Sequence, residues 1–251
     1  FRGDRDFSRS DYFSKWGVPD HVVFQRTAAL IDSLPRPFQL TILTISNHEP
    51  FDLPDSSVRR YPDDSDTSRL FNSQIYADHA LGLFISEVRS YPVFDSTVFV
   101  FTADHARFGG GRYRGDPVDF HVPLLLYAPG IAAMQPGRIE TFGSQIDIVP
   151  TLMGLLGGDY RHASWGRNLL TVPADDPGFA PISVFERIGS VDRQYHYTEI
   201  LGRTASLFET GIAAGNGSDI EDKYPAAFQS RQRRLRIFMQ VAEQLSTPAQ
   251  R

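Results

Sequence analysis

The chain has no cysteine among its 251 residues, which excludes disulfide bridges and thiolate metal sites. Nor does it have an apolar stretch approaching the roughly 20 residues that a membrane-spanning helix needs. A formal net charge of −5 removes the electrostatic case for nucleic acid, whose binding rests on basic surfaces. No internal repeat or low-complexity tract interrupts the sequence. What is there is ordinary globular material, 41% hydrophobic and 22% charged, long enough for a substantial core in one domain.

The most informative stretch is TVFVFTADH at 97–105. The apolar run from Val98 to Phe101 is short and does not alternate, which predicts a strand buried on both faces. It stops at Asp104 and His105, a carboxylate and an imidazole at the strand end where open α/β sheets place ligands. A hard oxygen beside a borderline nitrogen suits Mn or Zn. Successive strand residues point to opposite faces, so the two side chains converge only once the strand has ended. The glycines at 109–111 are consistent with such an ending. Turn chemistry, with Asp as a cap beside a surface His, is the plainer reading of the pair.

The design recurs. A strand is predicted from Phe38 to Ile45, followed by Ser46, Asn47, His48 and Glu49, with Pro50 stopping any regular continuation. A third strand is predicted at Val122–Tyr127, and a short polar stretch at 143 leads into an apolar helix at about 144–156. Between these, Asp20 is expected to cap a helix reaching Leu34, 54–69 reads as a surface loop, and a helix is expected over Leu70–Val88. This βαβ-like order predicts an α/β fold with a largely parallel sheet flanked by helices. After a linker at 171–180, short strands at 182–186, 193–199 and 204–208 predict a small antiparallel sheet. A final helix, in two pieces around Pro225, runs from Ile220 to about Leu245.

Six blocks in order, DYFSKWGVPD, PFQLTILTISNHEPFDLP, YADHALGLFISEV, VFTADHARFGGG, HVPLLLYAPG and GSQIDIVPTLMGLLG, resemble the lipoteichoic acid synthase-like phosphoglycerol transferases of the sulfatase and alkaline phosphatase superfamily. The resemblance implies an alkaline phosphatase-like α/β/α sandwich. Residues 1–170 would be the C-terminal portion of its catalytic domain, and 171–251 an appended sheet and helix. It implies transfer of a phosphoglycerol-type group from a phospholipid such as phosphatidylglycerol to a glycan or glycolipid hydroxyl. The setting is extracytoplasmic, on a protein held in the cell membrane by preceding helices. A sulfatase or phosphodiesterase, or a non-catalytic domain, is the alternative. The family's Thr nucleophile and acidic metal ligand would lie upstream of this chain, so no nucleophile is assigned to Thr44, Ser46 or Thr102.

On the same resemblance, Asp104 and His105 would hold a divalent metal, Mn first, with Zn or Mg as alternatives. The family commonly has Gly after that His where this chain has Ala106, which raises the question of a positive φ there. His48 would face the substrate phosphate and support catalysis. Arg107 and Arg112, with Arg114, would either pair with a phosphate headgroup or form a solvated loop against Asp116 and Asp119. Trp16 reads as packing or as a substrate-facing aromatic, His79 as structural, His121 as structural or near the site, and His162 as a loop residue with no assigned chemistry. The run RQRRLR at 231–236 reads as the exposed face of a docked helix or a contact for anionic lipid.

Overall fold

Pro19, with its φ fixed at −60°, starts the first helix, α1 (Asp20–Ser33). The computed structural model describes residue 3 and residues 6–107, 115–131, 134, 136–210 and 217–246. The chain forms two compact units, Phe1–Phe99 with Tyr127–Met134 and Val100–Leu126 with Gln135–Arg251.

The first unit is built on two helices. α1 buries Phe24, Ala28 and Ile31 at helical spacing, and α2 (Asp66–Val88) buries Tyr76, Ala80, Phe84 and Val88. Alanines at 28 and 80 let the helices approach closely, and Phe24 stacks on Phe84 with ring centroids 5.1 Å apart. The helix α2 starts four residues earlier than its apolar pattern predicts. Ser65 supplies the reason: its Oγ accepts the Ser68 N–H at 3.2 Å and caps the polar first turn.

The predicted strand at Phe38–Ile45 is a correction: this stretch carries no strand pairing. Phe38 and Ile42 pack on the helical core, whereas Leu43 is 76% exposed. A β-rich run makes a strand only when a neighbour takes its backbone groups, and here the Ile45 N–H goes to the Asp20 carboxylate. Two strands do form nearby, β1 (Phe99–Thr102) and β2 (Leu124–Tyr127), and they pair with each other. Both are half-buried at most rather than buried on both faces, because β1 has only β2 beside it among the described residues. The largely parallel sheet is therefore not seen among these residues.

The second unit contains α3 (Ile148–Leu156), preceded by a 3₁₀ turn at Gln145–Asp147, and the expected antiparallel sheet. That sheet has four strands in sequence order: β3 (Ala180–Val184), β4 (Arg187–Val191), β5 (Tyr195–Ile200) and β6 (Thr204–Glu209). Sequence reasoning missed β4, whose central Gly189 weakens the strand pattern. That glycine faces Ile182 across the ladder, and a Cβ there would sit 2.7 Å from the Tyr197 carbonyl oxygen.

The last helix, α4 (Pro225–Ser246), is one piece rather than two. Pro225 is its first residue, where a missing N–H costs nothing. It packs on β4 and β5, with Leu235 buried against Tyr197 and Leu207. The arginine run is an exposed face of this docked helix, with Arg233, Arg234 and Arg236 all exposed, and three of its guanidiniums also make fixed contacts. Arg231 pairs with Asp192 at 2.9 Å, Arg234 donates to the Gly178 carbonyl at 2.9 Å and Arg236 donates to both carboxylate oxygens of Glu199 at 3.2 and 2.8 Å.

Candidate functional site

Once β1 ends, Asp104 and His105 converge as their side chains must to share a ligand. Asp104 Oδ1 accepts the His105 backbone N–H at 2.8 Å, and Asp104 Oδ2 lies 3.6 Å from His105 Nε2. The imidazole Nδ1 is 2.9 Å from the Ala106 carbonyl oxygen. A carbonyl only accepts, so Nδ1 carries the hydrogen and Nε2 the lone pair. Both side chains are well exposed.

This pair fits a divalent ion on chemistry. The donors are one carboxylate oxygen and one imidazole nitrogen oriented by a backbone carbonyl, the usual support of a metal-bound His. Two bonds of about 2.1 Å to one ion span a gap of this size at an ordinary angle. No third His, Asp or Glu joins them among the described residues. Ala106 does not have a positive φ, so its methyl brings no backbone strain.

Gln145, from the turn before α3, locks the strand end. Its amide Nε2 donates to the carbonyls of Ala103 at 2.8 Å and Asp104 at 2.9 Å. Asp147, buried in the same turn, accepts from the backbone N–H groups of Ser144 at 2.8 Å and Arg167 at 2.6 Å. Sequence reasoning passed over Gln145. The signal was its place at a helix start after a predicted ligand strand, in a block already singled out.

His48 lies in the first unit, on a loop fastened from three sides. Asp20 does not cap α1; its buried carboxylate accepts from Ile45 N and Ser46 N, both at 3.0 Å, and its own N–H donates to Ser46 Oγ at 2.9 Å. Asn47 Oδ1 accepts from the buried Ser73 hydroxyl of α2 at 2.6 Å. Phe51, at φ 63°, turns its side chain into the protein interior. Trp16 packs its indole on the His48 ring with centroids 3.6 Å apart. His48 Nδ1 is 3.2 Å from the Glu49 carbonyl oxygen, so this histidine also presents Nε2 outward.

Arg107 is exposed, while Arg112 and Arg114 lie outside the described residues. The acids expected to balance them as solvated counter-charges are instead buried. Asp116 caps a short 3₁₀ turn through Val118 N at 3.1 Å, and Asp119 is buried in that same turn. His79, His121 and His162 are exposed. A histidine that sequence reasoning did not single out, His196 on β5, is fully buried, and desolvation pushes its pKa down to about 4.

The chain is 28% identical to the "Lipoteichoic acid synthase-like YvgJ" of Bacillus subtilis over 220 residues, covering 78% of this chain and 35% of that protein. It thus spans about a third of that relative's length. Among solved structures, a protein in the alkaline phosphatase superfamily from Vibrio parahaemolyticus matches with a TM-score of 0.73 at 23% identity, covering 90% of this chain and 56% of its own. The lipoteichoic acid synthase LtaP from Listeria monocytogenes also matches with a TM-score of 0.73, at 20% identity, covering 98% of this chain and 64% of its own. The fold is that of the alkaline phosphatase superfamily. The family described as Sulfatase matches residues 3–158, and this chain belongs to it.

Proposed function

We propose that this chain is part of a metal-dependent transferase that moves a phosphoglycerol-type group from a membrane phospholipid, such as phosphatidylglycerol, to a hydroxyl of a glycan or glycolipid. The reaction would occur outside the cytoplasmic membrane, with the largely parallel sheet of an α/β/α sandwich completed in the intact protein. The carrying observation is the Asp104–His105 pair, whose Oδ2 and Nε2 stand 3.6 Å apart at the end of β1. The lipoteichoic acid synthase-like relative supports the choice of a phosphoglycerol group over a sulfate.

In this reading Asp104 Oδ2 and His105 Nε2 hold a divalent ion, Mn before Zn or Mg. When bound, the ion supplies positive charge against the phosphoryl oxygens and acidifies the attacking hydroxyl. In its doubly protonated form His48 offers Nε2–H to the substrate phosphate, donating a hydrogen bond or passing that proton to the departing oxygen. Its Nδ1–H stays on the Glu49 carbonyl, which keeps the exchangeable position at one nitrogen. Arg107 adds a guanidinium for the anionic headgroup.

The test is turnover of a fluorescent phosphatidylglycerol analogue by the intact protein, with metal content measured on the same samples. Asp104→Asn removes a charged ligand and lowers both metal content and turnover. His48→Ala keeps the metal and slows the chemical step by roughly 10²–10⁴-fold. Full metal content and full turnover in Asp104→Asn would overturn the reading. Product released only to water, with a glycolipid acceptor present, would make the protein a hydrolase of the same family.

A further inference from the structure

The indole and the imidazole that stack in the first unit also share one hydrogen-bond acceptor. Trp16 Nε1–H donates to the Glu49 carbonyl at 2.7 Å, and His48 Nδ1–H donates to the same oxygen at 3.2 Å. A carbonyl has two lone pairs and can serve both. The rings lie with centroids 3.6 Å apart and planes tilted by 35°. Trp16 therefore meets His48 twice, by ring contact and through a common acceptor.

Core packing does not explain this arrangement, because Trp16 remains 44% exposed. Nor is the residue placed by chance. It sits on a tight turn in which Phe13 N–H donates to the Gly17 carbonyl at 3.2 Å and Gly17 N–H donates to the Ser14 carbonyl at 3.2 Å. Gly17 has φ +133°, a conformation closed to residues with a Cβ, and its own Cβ position would lie 3.2 Å from Ile45 Cδ1. The turn thus abuts the segment leading into the His48 loop, and Lys15 Nζ lies 5.1 Å from the indole centroid.

We propose that Trp16 is the positioning residue for His48, fixing ring orientation and tautomer so that Nε2 points outward. This rests on the role given to His48 under Proposed function and deepens it. Without the indole, the imidazole keeps only a 3.2 Å bond to the carbonyl and is free to rotate about its ring bond. Rotation would exchange the nitrogen that is held for the one that is offered. Misplacement of a reacting group on that scale slows the chemistry far more than it weakens binding.

The experiment is a double-mutant cycle in the intact protein, reading kcat and KM for the fluorescent phosphatidylglycerol analogue. Trp16→Ala should lower kcat at least about tenfold with KM changed less than about twofold. Trp16→Phe keeps the ring face and loses the N–H, so it should recover part of that loss. In a His48→Ala background, Trp16→Ala should have no further effect. Equal losses in both backgrounds, or full turnover by Trp16→Ala, would overturn the positioning role. Full turnover by His48→Ala would instead remove the role of His48 itself, and a thermal midpoint for each variant separates misfolding from lost positioning.

Discussion

The side chain of Gln145 grips the backbone of Asp104: its amide donates to the Asp104 carbonyl at 2.9 Å while also donating to Ala103 at 2.8 Å. The exposed carboxylate of Asp104 therefore rises from a fixed backbone. A turn more than 40 residues away in sequence decides where the strand-end pair can point.

Gln145→Ala should consequently loosen the Asp104–His105 pair without removing either ligand. We expect metal affinity to fall by about 10–100-fold, the usual cost of removing support behind a ligand. Metal retained after dialysis, measured by mass spectrometry on the intact protein, is the check. Retention equal to wild type would show that Gln145 does not support the pair.

Gly166→Ala should disturb the same turn from the other side. A Cβ at Gly166 would collide with the Ile146 carbonyl oxygen and lie 2.6 Å from Asp147 Cα, backbone atoms that cannot step aside. The expected destabilisation is roughly 1–3 kcal/mol, read as a shift in the denaturant midpoint. Gly137→Ala is the control, since nothing lies within 4 Å of its Cβ position.

His196 predicts an acid-side weakness. Burial holds its folded pKa at about 4, below the ordinary 6.5. As pH falls below 6.5 the unfolded chain takes up a proton that the folded chain refuses, so stability is lost between about pH 6.5 and 4 and levels off below that. The loss is on the order of 3 kcal/mol for such a displacement. Denaturation curves at a series of pH values measure it, and His196→Phe should flatten the dependence in that window.

Arg236 and Glu199 predict a different asymmetry. Glu199 is 2% exposed and accepts from Arg236 at 2.8 and 3.2 Å and from the Tyr197 hydroxyl at 2.8 Å. Burial pushes its pKa up, but the hydrogen bonds from Arg236 and Tyr197 outweigh this and hold it below the usual glutamate range. Arg236→Ala should destabilise by roughly 1–2 kcal/mol, because it leaves a buried carboxylate to the Tyr197 hydroxyl, a cost reduced by the solvent around the half-exposed guanidinium. Adding Glu199→Gln should recover part of that loss in equilibrium unfolding.

Where local chemistry decides structure, the sequence was legible. Pro35 and Pro37 follow the end of α1, the Ser65 cap defines α2, and alternating residues with turns between them foretell the antiparallel sheet. The α2 boundary slipped because Ser65 was read as loop rather than cap. The segment 38–45 misled for another reason: its composition asks for a strand, but pairing depends on a neighbour that composition cannot supply. As candidates, Asp104, His105 and His48 were legible as residue types. The parts that hold them were not, since Gln145, Asp20 and Glu49 act through backbone groups and long-range hydrogen bonds that leave no periodic trace. The arginine run was legible as an exposed helix face, but its partners were not, since Asp192 just after β4 and Glu199 on β5 lie far from it in sequence.

The discontinuity of the first unit matters during synthesis. Its aromatic corner is completed by Tyr127, whose ring lies 5.9 Å from Phe99 and 6.2 Å from Phe94. A ribosome that has released Phe99 has not yet released the ring that covers it, and must first translate the intervening stretch belonging to the other unit. Through that interval the nascent chain lacks the ring that packs on Phe94 and Phe99, so the aromatic corner of this unit closes only after Tyr127 has been added.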